Sequence, residues 1–326
     1  MSQQLDMFAP GGERRDPQLR SKSAQRHEPD VVETEEDWVR KLEDTGRYRI
    51  LRKLMPRPVV NRASSLLPRL AVLVDAETTG LDQVKDEIIE IGMVAFTYDD
   101  DGRIGDVVGV FSALRQPYAP IPPEITRLTG ITDAMVAGKT ISLGELERFI
   151  EPADLVIAHN AAFDRPFCER LTQGFAPKAW ACSVSEVKWA DHGFEGTKLG
   201  YLIGQCGYFH DGHRAVDDCH ALLEVLARPW PDGSGTPFGE LLQNSRRERI
   251  RIFAVNSPFD LKDHLKARGY RWSDGSDGRP KAWWTEVADD ESDDELRYLR
   301  AEIYQWPDVD PPTKRLTAFD RFKARD

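Results

Sequence analysis

The sequence predicts a mixed α/β protein carrying a smaller second domain. Three observations predict it: two long strand-like runs joined by a turn directly after a first apolar strand, a following alternation of helix and strand patterns, and a separate set of short strands beyond a Pro- and Gly-rich stretch. With 326 residues and 40% hydrophobic content the chain can bury one core of medium size and still build a second, smaller one.

Taken in order, residues 1–35 are polar and Pro/Gly-punctuated and read as a disordered tail. The tail nevertheless opens with Gln4, Leu5, Asp6, Met7 and Phe8, whose three apolar side chains have no neighbours to bury them. An acidic patch at Glu33, Glu35, Glu36 and Asp37 starts a helix through Trp38, Val39 and Leu42. Residues 36–67 read as a basic helical arm, because nine Lys/Arg face two acids between Arg40 and Arg69, a balance of 9 − 2 = +7. Either that arm contacts phosphates or it is a solvated amphipathic helix.

The next domain, 68–230, begins with LAVLVDAETTGL, an unbroken apolar strand ending in carboxylates. Two further strands follow in EIIEIGMVAFTYDDDGRIGDVVGVFSAL, joined through Asp100, Asp101 and Gly102, a hairpin signal. A Pro-rich loop, the helix SLGELERFI, the strand ADLVIAH, the helix AAFDRPFCERL, the strand KAWACS and helices at TKLGYLIGQCG and AVDDCHALLEVLA complete it. Residues 231–245 read as a linker, dense in Pro and Gly. Residues 246–326 read as a small α+β domain, with Tyr270, Arg271, Trp272, Lys281, Trp283 and Trp284 in its hairpin, either as core or as a stacking surface for a single nucleic-acid strand.

Charge and cysteines narrow the class. The formal charge, 44 − 55 = −11, argues against coating nucleic acid by bulk electrostatics. Cys168, Cys182, Cys206 and Cys219 show no zinc-like pairing and are expected to be reduced, buried thiols. With no apolar run near the roughly 20 residues a span needs and no signal-like leader, the expectation is a cytoplasmic protein with no membrane partner.

Asp75 and Glu77 stand two apart at the carboxyl end of the first strand, so both point to one side. Like charges there repel and cost desolvation unless a cation joins them, and hard Mg²⁺ or Mn²⁺ suits carboxylate oxygens. Asp164 falls early in a helix after a second apolar strand. Asp218 lies on the apolar side of the helix marked by Ala215, Cys219, Leu222, Leu223 and Leu226, whereas Asp217 is one step round toward solvent. His213 precedes Asp218 by five residues, about 140° away on a helix, and so belongs to the loop ahead of it, placed to take a proton from an attacking water. His159, beside Asn160 at a helix N-cap position, reads as structural.

The segments VDAETTG, AHNAAFD and HRAVDD resemble, in order, the three motifs of the DEDD-type 3′–5′ exonucleases, in the subclass with a histidine in its last motif. The resemblance covers about residues 68–228, with Ala76 departing from the family's Thr. It implies a ribonuclease H-like mixed five-stranded sheet flanked by helices. It also implies two divalent ions held by Asp75, Glu77, Asp164 and Asp218, with His213 as general base. Thr78, Thr79, Gly80 and Leu81 would cradle the terminal nucleotide, and the products would be nucleoside 5′-monophosphates released from DNA, its partner through single-stranded 3′ ends. Gln4 to Phe8 resemble the short peptide by which bacterial DNA enzymes dock on the replication sliding clamp, and a polymerase is a further expected partner. Two other readings stand beside this one: an RNA-trimming enzyme of the same fold, and a non-catalytic clamp or polymerase adaptor.

Overall fold

The computed structural model describes residues 33–276 and 278–324. The Gln4 to Phe8 peptide and the tail up to residue 32 lie outside the described residues. By contacts the chain divides into a unit ending at Ile50 and a unit beginning at Leu51.

In the first unit, Glu35–Glu43 form a helix because Thr34 and Asp37 make a reciprocal capping box: the Asp37 N–H donates to Thr34 Oγ1 at 3.2 Å and the Thr34 N–H to Asp37 Oδ2 at 3.0 Å. The helix buries no residue. The expected helical arm over 36–67 is therefore corrected: α-helix stops at Glu43, and residues 51–67 are extended apart from one 3₁₀ turn at Arg62–Ser64. Pro56, Pro58 and the β-branched pair Val59–Val60 explain why the helix does not resume. The stretch belongs to the second unit, with Leu54 buried in its core and Arg57 paired to Glu224 at 2.5 Å.

The second unit is built on a five-stranded mixed sheet: β1 (Arg69–Thr78), β2 (Ile88–Tyr98), β3 (Ile104–Leu114), β4 (Leu155–Ala158) and β5 (Trp180–Cys182) lie in the order β3-β2-β1-β4-β5. The first three form an antiparallel meander, while β1–β4 and β4–β5 pair parallel. β1 and β2 are apolar on both faces because helices cover both. On one side Leu73 and Ala71 pack against α2 (Ala215–Ala227) and α3 (Pro237–Arg246); on the other Val72, Val74 and Ala76 pack against α1 (Ala161–Leu171). This is the ribonuclease H-like arrangement expected.

The expected linker over 231–245 is also corrected. Thr236 accepts the Gly239 N–H at 3.0 Å and Pro237 occupies the first helical turn, so α3 starts there and buries Phe238, Leu241 and Leu242 in the same core as β2. Pro237, counted as a breaker, is a helix starter.

A second, antiparallel sheet contains β6 (Arg249–Ala254), β7 (Arg271–Ser273), β8 (Ala282–Ala288) and β9 (Thr313–Leu316) in the order β9-β6-β8-β7. Ile250, Ile252 and Ala254 face a helical layer that supplies Leu265, Leu299 and Ile303. The chain then returns to the first sheet. The Trp180 N–H donates to the Ala318 carbonyl at 2.8 Å, and the fully buried Arg165 guanidinium donates to the carbonyls of Arg321 and Phe319 at 2.7 and 2.8 Å.

Candidate active site

Asp75 and Glu77 share the α2-facing side of β1, directly opposite Gly92 and Glu90 of β2. The pairing slips at Glu77/Thr78, a bulge that turns the chain out of the sheet just past the carboxylates. Gly92 permits the next step. A Cβ there would lie 2.2 Å from the Val216 N and 2.3 Å from the Ala215 carbonyl carbon, so only glycine lets the first turn of α2 press onto the sheet. That contact delivers Asp218: one carboxylate oxygen each from Asp75, Glu77 and Asp218 lies within 4.8 Å of the others.

Asp164 arrives from the opposite layer. The β1–β4 pairing ends at Leu73–Ile157, leaving the last residues of β1 without a parallel neighbour, and the Asp164 carboxylate takes the Ala76 N–H there. It is buried, beside Asp75 but outside the 4.8 Å trio.

Asp75, Glu77 and Asp164 do not ionise freely here. Burial, then the charges of Asp164, Asp218 and Glu77, hold Asp75 well above the usual carboxylate range. Burial, with Asp218 and Glu90 adding, pushes Glu77 up to about 7, and Arg214 opposes the shift. Burial raises Asp164 to about 8 against the Ala76 N–H. An all-oxygen donor set with its charges pressed together fits a hard divalent cation, which would relieve both costs.

The sequence reading missed Glu90 and Arg214. Glu90 has no exposed surface and accepts from Arg214 Nε and Nη2 at 3.1 and 2.8 Å and from the Ala215 N–H at 3.1 Å, pinning the start of α2. A lone acid inside the apolar run IIEIG was the available signal, since a charge there demands a partner.

His213 lies in the loop before α2, as expected, exposed and with φ +64°. Its backbone N–H donates to Asp218 Oδ2 at 2.9 Å. The other Asp218 oxygen is met by His210 Nε2 at 2.6 Å, a contact that sequence reasoning did not single out. His159 is fully engaged, Nδ1 with Ser183 Oγ and Nε2 with the Thr197 carbonyl, each at 2.7 Å, which agrees with a structural role. Asn160 stands at the N-cap position of α1 but its side chain makes no capping bond.

The Thr78 to Leu81 segment follows directly on the end of β1. Thr78 Oγ1 donates to the Gly80 carbonyl at 2.5 Å, Thr79 Oγ1 accepts the Glu87 N–H at 3.0 Å, and Asp86 accepts the Asp82 N–H at 2.8 Å, closing a tight loop. A Cβ on Gly80 would fall 2.4 Å from the Asp86 carboxylate. Leu81 projects from this loop, 82% exposed. The loop is tied to α1 by a consequence of Pro166: lacking an N–H, Pro166 leaves the Ala162 carbonyl four residues earlier without its helical partner, and Gln83 Nε2 donates to it at 2.9 Å.

Comparison with known proteins finds relatives over the segment that carries these carboxylates. The Exonuclease family profile matches residues 72–226. The chain is 34% identical over 161 residues to the PolC-type DNA polymerase III of Clostridium perfringens, a match covering 48% of this chain and 11% of that one. It is 32% identical over 169 residues to DNA polymerase III subunit epsilon of Treponema pallidum (47% and 72% covered) and 30% identical over 171 residues to that of Aquifex aeolicus (50% and 82% covered). The match thus spans only about a tenth of the PolC-type relatives. Among solved structures, exonuclease X in complex with 5′ overhanging duplex DNA matches with a TM-score of 0.40 and 25% identity, covering 53% of this chain and 98% of that one. Matched over most of the length of two epsilon subunits, and with the family profile ending within a residue of α2, the chain belongs to the exonuclease family.

Proposed function

We propose that the protein is a divalent-ion-dependent 3′–5′ exonuclease that hydrolyses DNA from its 3′ end to nucleoside 5′-monophosphates, in proofreading or repair. The observation that carries this reading is the Asp75, Glu77 and Asp218 cluster, with oxygens within 4.8 Å beside the buried Asp164. Asp75, Glu77, Asp164 and Asp218 would hold two ions, Mg²⁺ or Mn²⁺. When bound, such ions supply positive charge at the scissile phosphate and the leaving oxygen.

The chain's own groups do the rest. His213, exposed beside Asp218, takes a proton from the attacking water; a non-glycine residue kept at φ +64° is strain of the kind retained where an imidazole must be presented outward. The Thr78–Leu81 loop holds the terminal nucleotide, with Leu81 as its apolar contact. The epsilon-type relatives support DNA as substrate and a replicative polymerase as partner. Gln4, Leu5, Asp6, Met7 and Phe8 are the proposed docking peptide for a sliding clamp, read out by pull-down of the clamp with and without Leu5→Ala/Phe8→Ala.

The test is degradation of matched 5′-labelled DNA and RNA oligonucleotides with Mg²⁺ or Mn²⁺ by wild type and Asp75→Ala. A DNA ladder shortening from the 3′ end, absent in the variant and with chelator, is expected. Preferential shortening of RNA would transfer the activity to RNA trimming. Failure of the folded protein to cleave either would leave the adaptor reading.

A further inference from the structure

Pleat alternation gives the C-terminal sheet two unlike faces. Ile250, Ile252 and Ala254 point into the helical layer, so Arg249, Arg251 and Phe253 point to the other side, joined by Trp284 and Glu286 of β8 and by Arg271 of β7, the cross-strand partner of Trp284. Among the described residues, the helical layer that packs on this sheet lies on the Ile250, Ile252 and Ala254 side. The other face forms one wall of an open cleft of about 500 Å³ whose other wall belongs to the exonuclease sheet, at Asn160 and Ala162 beside Asp164, and at Gln83 of the loop beyond Leu81.

The cleft is cationic. Its lining carries Arg249, Arg251, Arg271, Arg279, Arg321 and Lys323 against two acids, Glu186 and Glu286, a balance of 6 − 2 = +4 in a protein of net charge −11. Both acids are committed: Glu186 to the buried Arg321, and Glu286 to Arg251 at 2.7 Å. Trp284 gathers the cations, with the Arg271, Arg279 and Arg251 guanidiniums 4.6, 4.7 and 5.0 Å from its ring centroid. Lys314, on the same face of β9, is lowered from the usual lysine range first by burial and then by Arg251, with Asp320 opposing and Lys323 and Arg279 adding to the shift. A second cavity of about 550 Å³ shares Gln83 and Ala324 with the first and extends it to Leu81.

We infer that this arginine-bearing face holds the phosphate backbone of a single-stranded polynucleotide and leads its end toward the carboxylate site, an inference that rests on the nuclease reading of that site. Trp284 is only 7% exposed beneath the guanidiniums, so recognition runs through phosphates and guanidinium planes and is tolerant of base sequence.

The experiment is fluorescence anisotropy of labelled dT4 and dT20 with the full chain in EDTA, across salt concentrations, for wild type, Arg271→Glu/Arg279→Glu and Arg271→Lys/Arg279→Lys. Wild type is expected to gain affinity from dT4 to dT20. The glutamate pair is expected to lose at least tenfold on dT20, with a salt slope shallower by about 1.4, about 0.7 for each of two phosphate contacts. The lysine pair keeps the slope, and Lys323→Glu, at another cation of the cleft lining, weakens dT20 in the same way should the glutamate pair not fold. Unchanged dT20 binding by the folded glutamate variants, a loss as large with lysine, or equal affinity of wild type for blunt duplex overturns the inference. Cleavage is scored separately: if dT20 binds through the cleft but is not shortened with Mn²⁺, the nuclease reading fails and the strand-binding face stands.

Discussion

Replacing Glu77 with glutamine separates what this carboxylate costs from what it does. Without metal, burial and the charges of Asp218 and Glu90 push Glu77 from 4.5 up to about 7. Between those values the folded chain keeps a proton that the unfolded chain has released. The stability this contributes is therefore fully present below about pH 4.5 and lost as pH rises through about 7. At about 1.36 kcal/mol per pH unit the loss by pH 8 is on the order of 3 kcal/mol, and the raised Asp164 works in the same direction. An amide matches the protonated acid and cannot ionise. Glu77→Gln should thus resemble wild type at pH 5 in EDTA and exceed it at pH 8 by about 3 kcal/mol, or about 4 °C in Tm for a chain of this length, while losing nuclease activity. Mn²⁺ at a hundredfold over its Kd should return about 2.7 kcal/mol to wild type at pH 8 and much less to the variant. Thermal unfolding of both proteins at pH 5 and 8, with EDTA or Mn²⁺, measures each term, and the difference between the two proteins cancels the titrating groups that Glu77 does not act on. A variant less stable than wild type at pH 8 in EDTA would refute the crowded-carboxylate account.

Three further outcomes are expected. His213→Ala should slow cleavage by about 10²–10⁴ at an unchanged metal requirement, whereas His210→Ala, which removes the partner of Asp218 Oδ1, should raise the metal concentration needed by about 10–100-fold; metal titrations of the initial rate separate them. Phe238→Ala should cost about 3–5 kcal/mol in urea unfolding, because its ring stands edge-on to Phe96 and Tyr98 at 5.4 and 5.3 Å, where a linker residue would cost almost nothing. Ending the chain after Leu316 should cost about 3–5 kcal/mol, since Arg165 and Glu186 would stay buried without the Arg321 and Phe319 groups that satisfy them; an unchanged urea midpoint would count against that latch.

The carboxylates were legible because each sits in a local pattern whose geometry the chain fixes by itself: two residues apart on one strand for Asp75 and Glu77, early in a helix for Asp164, on the apolar side of a helix for Asp218. What joins them was not, because it is long-range. Glu90 meets Arg214 across 124 residues, and the first turn of α2 touches β1 and β2 only because Gly92 has no side chain. The same reason explains the basic stretch. Its charge excess suggested phosphate binding, yet Lys53, Arg57 and Arg69 are spent on Asp211, Glu224 and Asp100, partners whose proximity no sequence window contains.

That displacement of role has a consequence for how the small sheet relates to the larger one. A tethered appendage would be expected to meet its neighbour through exposed polar contacts, but here residues 317–322 thread back to pair with Trp180 and to satisfy a fully buried arginine, while α3, just ahead of the small sheet, is part of the larger sheet's core. Burying a guanidinium is costly unless it finds acceptors, and Arg165 reaches the Arg321 and Phe319 carbonyls only while the two sheets keep a fixed spacing. A fixed spacing is also what a cleft needs if its two walls are to grip one polynucleotide strand. The buried Arg165 and Arg321 would then serve Arg271 and Arg279 on the cleft lining: the first pair holds the walls in place, and the second meets the substrate.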